Sequence, residues 1–124
     1  FVKHLPKKQY DLRSTKFINL YTGLGTISVC QDDRLKAEEW YYQALNLCKS
    51  LAKENDTIES KNNLAFSYFY FGSVSENIDM IKSALLIWQN LSSKYPDSPN
   101  YSQLAHKANH MIDLLSKSKN SINL

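Results

Sequence analysis

Displaced by 40 residues, the chain lies on itself. Leu24, Leu64 and Leu104 coincide, and each is followed by a small residue: Gly25, Ala65 and Ala105. Tyr21 and Tyr101 share the position three residues earlier. Further along, Ala44 coincides with Ala84, Leu45 with Leu85, Leu47 with Ile87 and Leu51 with Leu91. A fixed period of this size marks a stacked helical array. The small residues have a packing reason. Antiparallel helices come within about 8–10 Å only where the side chains at the crossing allow it. Gly25, Ala37, Ala44, Ala65, Ala84 and Ala105 fit that need.

Periodicity and punctuation place five helices. The first covers about 11–31, with Leu12, Phe17, Leu20, Tyr21, Leu24, Ile27 and Val29 as one wide apolar stripe. Gly23 and Gly25 cost that helix roughly 1 kcal/mol each against alanine. Asp33 reads as an N-cap for a second helix over 34–54. A third, over about 57–71, is aromatic on nearly every side through Phe66, Tyr68, Phe69, Tyr70 and Phe71, so burial on more than one side is expected. Gly72 reads as its stop. Ser75 and Glu76 open a fourth helix running to about 94. Tyr95-Pro96-Asp97-Ser98-Pro99 is the clearest break, with Pro99 at the first position of a last helix reaching about 117. Phe1, Val2 and Leu5 read as the tail of a preceding helix stopped by Pro6, and 120–124 as a frayed end.

These residues resemble the tetratricopeptide repeat, whose first helix carries an aromatic, Leu-Gly and Tyr at fixed spacing, with alanines seven apart in the second. The first unit supplies Tyr21-x2-Leu24-Gly25, then Ala37 and Ala44; the second supplies Leu64-Ala65-x2-Tyr68 and Ala84; the third supplies Tyr101-x2-Leu104-Ala105. Lys61, Ser28 and Asn77 depart from the pattern, and the period of 40 exceeds the usual length of about 34. Asn-Asn-Leu-Ala at 62–65 is similar to the long-repeat, kinesin-light-chain-like subclass. The resemblance implies an all-α superhelix of antiparallel helix hairpins: one domain over 1–124, with repeats at about 12–54 and 57–94 and a capping helix at about 98–117. It also implies a concave groove lined by the first helix of each repeat. The groove positions would be Asn19, Thr22, Thr26, Val29 and Cys30, then Glu59, Asn62, Phe66, Phe69 and Tyr70, then Ser102, His106, Asn109 and His110.

An asparagine on such a floor offers both donor and acceptor to a peptide backbone, which suits Asn19, Asn62 and Asn109. Phe66, Phe69 and Tyr70 serve either as apolar anchors or as core between repeats. Thr22, Val29 and Cys30 stand where a carboxylate clamp would want charge, so a chaperone C-terminus is a poor ligand.

Other chemistry finds little support. His106, His110 and Asp113 share one helical face, but no second His or Cys cluster completes a metal site. Asp32-Asp33 and Glu38-Glu39 read as charges near a helix start. Gly23-x-Gly25 lacks a third glycine and a preceding strand. No cofactor and no catalytic residue is expected. The net charge of +3 is too small for a nucleic-acid face, and no apolar run is long enough to span a membrane. Cys30 and Cys48 fall on apolar stripes and read as buried free thiols, which suits the cytoplasm or another reducing compartment.

The expected function is therefore a non-catalytic scaffold or adaptor that binds a peptide or protein segment. Alternatives are a peptide-sensing domain of a bacterial transcription regulator and a regulatory domain of a larger enzyme. Opening on Phe1, the chain reads as a piece of a longer protein. Met111, Leu114 and Leu115 on the last helix suggest self-association there.

Overall fold

The computed structural model describes the backbone of residues 7–122 and the side-chain surroundings of residues 15–119. The expected preceding-helix tail, the side chain of Leu12 and the last two residues lie outside these. Among the described residues the structure is all-helical: α1 Lys7–Cys30, α2 Arg34–Glu54, α3 Ile58–Ser75, α4 Ile78–Lys94 and α5 Pro99–Ile122. Each helix packs against the next in chain order. Among the described residues no helix is long and apolar enough to cross a membrane.

Local chemistry sets the helix ends. Asp33 accepts a hydrogen bond from the Lys36 backbone N–H and caps α2. Thr57 and Ser60 form a reciprocal capping box at the start of α3. Asn77 caps α4 by accepting from the Met80 N–H. Arg34 reaches both Glu38 at 3.6 Å and Glu76 at 3.1 Å. All three side chains are substantially hydrated, so these pairs add little stability.

The core follows the 40-residue register. Tyr41, Ala44 and Cys48 on α2 are buried, as are Ile81, Ala84 and Trp88 at the matching positions of α4. Gly25, Ala65 and Ala105 are all buried at the crossings. Around Trp88 the side chains of Phe69, Ile81, Ala84, Leu91, Ala105 and Ala108 form one cluster joining α3, α4 and α5.

Several sequence expectations need correction. Gly72 is not a stop. α3 runs on to Ser75 and ends at Glu76 in the left-handed conformation, φ 56°. Gly72 is small because a Cβ there would lie 2.8 Å from Ile81 and 3.0 Å from Met80. The glycine serves the α3–α4 contact, not the turn. α4 accordingly starts at Ile78, and α5 continues to Ile122, into the stretch expected to fray. The first-helix stripe is not one buried face: Ile18, Gly25 and Ser28 are buried, whereas Phe17, Leu20, Ile27 and Val29 are about half exposed. Cys30 is exposed and only Cys48 is buried. Met111 and Leu115 pack against the Trp88 cluster, which leaves Leu114 as the exposed member of that trio.

Two glycines of α1 separate packing from propensity. A Cβ at Gly25 would meet the Tyr41 ring at 2.5 Å, while one at Gly23 would meet nothing within 4 Å. Gly25→Ala should therefore lower stability by about 1–3 kcal/mol through overpacking. Gly23→Ala should raise it by about 0.5–1 kcal/mol through helix propensity alone. Urea midpoints of the two variants check both signs.

Candidate functional site

All four depressions described on the surface are bordered by α3. The first, of about 200 Å³, lies between α1 and α3 and is lined by Ile18, Asn19, Thr22, Asn63, Phe66, Ser67 and Tyr70. The second, of about 450 Å³, lies between α3 and α5, with Asn62 and Phe66 on one wall and Asn100, Tyr101, Gln103, Leu104 and Lys107 on the other. Phe66 lines both. A smaller hollow holding Glu59 and Asn63 sits where α1, α2 and α3 meet. The remaining depression lies between α3 and α4, with Leu64, Leu86, Ile87 and Leu91 between Lys61 and Lys94.

The wall shared by the first two depressions is held from beneath. The Trp88 indole, 1% exposed, donates its N–H to Asn62 Oδ1 at 2.9 Å. Phe66 meets the edge of Trp88 at 5.2 Å and stacks on Tyr70 at 6.1 Å. Tyr70 in turn stacks on Tyr41 at 5.5 Å, and the Tyr41 hydroxyl hydrogen-bonds Thr26 Oγ1 at 3.0 Å. A continuous ring system thus runs from α4 through α3 to α2 and ends on α1. Burial raises the pKa of Tyr70, and Tyr41 beside it adds to the effect. Burial also raises that of Cys48, partly offset by its contact with Ser67 at 3.1 Å.

The sequence-derived groove residues fall into four groups. Asn19, Thr22, Glu59, Asn62, Phe66 and Tyr70 line depressions bordered by α3. Phe69 is 5% exposed and belongs to the core, with Lys107 Nζ 5.6 Å from the ring centre. Thr26 is tied to Tyr41 and to the Thr22 carbonyl. His106, Asn109 and His110 are exposed and line none of the four. A hollow needs two walls, and the side of α5 that carries them faces no further described helix. Sequence reasoning missed Asn100, Gln103 and Lys107 on the α3-facing side of α5. They share one hollow with Asn62 and Phe66 of α3. Among the described residues no group of three or more His, Cys, Asp or Glu side chains could hold a metal ion.

Compared with protein-family models, curated proteins and solved structures, the chain has no significant match. What the coordinates define is an all-α chain of consecutively packed helices with depressions on both sides of α3.

Two measurements test the site's internal wiring. Asn62→Ala should cost about 1–3 kcal/mol, because it strands a buried indole N–H without an acceptor. Asn62→Asp keeps an acceptor and should cost less, as read from urea midpoints. The second test is pH. Cys48 and Tyr70 hold their protons more tightly when folded than when unfolded, so their contribution is fully present below the ordinary thiol and phenol pKa values of 9.0 and 10.0. It is lost as pH rises through the folded pKa values. The urea midpoint should fall progressively above about pH 9, and Cys48→Ala should flatten the earlier part of that fall.

Proposed function

We propose that the chain is a non-catalytic interaction module of tetratricopeptide type, holding a peptide or protein segment across α3. The two hollows on either side of Phe66 form one trough, bordered by α1 and α5. The observation supporting this is the shared Phe66 wall: a single ring lines both hollows and is braced by Trp88 and Tyr70. A rigid aromatic between polar rims is the usual layout of a binding anchor. Asn19 and Thr22 form one rim; Asn100, Gln103 and Lys107 form the other. The 40-residue repeat adds to this reading, since stacked helical repeats use such surfaces for extended partners.

Peptides selected against the immobilised chain from a random displayed library test the proposal. Asn19→Arg combined with Lys107→Glu alters two exposed rim residues and should leave the melting temperature unchanged. Binding should weaken at least about tenfold, or about 1.4 kcal/mol. Binders that ignore this pair but are lost on Leu86→Glu would move the site to the α3–α4 side.

A further inference from the structure

α1 has two apolar faces, and the chain uses one of them. Ile18, Gly25 and Ser28 are buried within the chain. On another side Phe17 is 50%, Leu20 52% and Ile27 54% exposed, with Leu24 partly buried between them. These four positions follow a spacing of three, four and three residues, the seam of a helix that pairs with another helix. The outer face of α5, the last described helix, is finished differently. The outward residues of α5 are Ser102, His106, Asn109, His110 and Asp113, all exposed and polar. Head-to-tail stacking of copies would set an apolar end against a polar one. A two-fold pairing sets like against like.

We propose that α1 is the interface of a two-fold homodimer, packed antiparallel against α1 of a second copy. With the axis near Thr22, Phe17 faces Ile27 of the second copy and Leu20 faces Leu24. Gly23 lies beside the axis, and an added Cβ there would touch nothing within the chain. Gly25 and Gly72 are each small for an internal neighbour; Gly23 has none, and its smallness lets a second helix approach.

Charge selects the antiparallel direction. Lys16 is exposed beside the seam, and Lys7, Lys8 and Arg13 also fall in the first half of α1. The last turn carries no basic residue and runs into Asp32 and Asp33. Antiparallel pairing brings Lys16 of each copy toward Asp32 of the other, whereas parallel pairing sets like charges side by side. The seam is small. Three half-exposed large side chains leave roughly 250–300 Å² of apolar surface per copy, against about 800 Å² per partner in a stable interface. The dimer is therefore weak and governed by concentration.

Sedimentation equilibrium on the whole chain tests this. From a monomer of 14.3 kDa, the average mass should climb toward twice that value as concentration increases. The useful range is about 10 µM to about 1 mM. Leu20→Glu alters an exposed residue and should keep the chain monomeric throughout, with helical circular dichroism and melting temperature unchanged. Lys16→Glu alone and Asp32→Lys alone should each weaken association several-fold, and the double exchange should restore it. A wild-type chain that stays monomeric, a dimer that survives Leu20→Glu, or an exchange that fails to restore association would overturn the proposal.

Discussion

Close approach of consecutive helices over small residues is the constraint on which this structure rests. Gly25 lies against the Tyr41 ring, Gly72 against Ile81, and Ala44, Ala65, Ala84, Ala105 and Ala108 are all buried. Where the crossing residue is small, the large side chains are pushed to its flanks. Trp88 fills the flank between α3, α4 and α5, and Tyr41 that between α1 and α2. The hollows beside α3 are a consequence. α1 and α5 lie on either side of α3, each joined to it through an intervening helix, and the space between them stays partly open. The packing that makes the core also makes the surface.

This explains which features were legible in the sequence. The bounds of α2, the cap at Asp33, Pro99 as the first residue of α5 and the small residues at the crossings are local or periodic signals, and the structure has them. Gly72 misled because helix propensity weighs only backbone freedom, whereas its neighbours Ile81 and Met80 arrive from the next helix. The α1 stripe misled for a related reason. Periodicity reports which side chains are apolar but not how many neighbours exist to cover them. α1 has α2 on one side and open surface where Phe17, Leu20 and Ile27 emerge.

The site was legible to a lesser degree. Asn62 and Phe66 stand out as a surface amide and a ring on one helix face, but the residue that organises them, Trp88, lies 26 positions from Asn62. No local pattern links the two. On α5 the repeat offset marks His106, Asn109 and His110, yet only the hollow shared with Asn62 and Phe66 reveals that Gln103 and Lys107 are the residues turned toward α3. A repeat register transfers positions along the chain. It does not transfer the neighbour that turns a position into a wall.

The Trp88–Asn62 bond also limits what the proposed trough would recognise. Trp88 is fixed in the core and its N–H has no other use, so Asn62 spends its carbonyl inward. Its amide N–H groups remain to donate outward and one lone pair of Oδ1 is left, so a peptide backbone would meet Asn62 mainly as a donor. Phe66 is equally constrained, braced by Trp88 on one side and Tyr70 on the other. The rims differ in kind, because Asn19, Asn100, Gln103 and Lys107 are exposed side chains able to adjust. In the proposed trough an incoming segment meets a floor already in place and edges that adapt. The ordering cost of the floor is met in folding, so an apolar side chain set against Phe66 beside an acceptor for Asn62 is the combination that gains most from it.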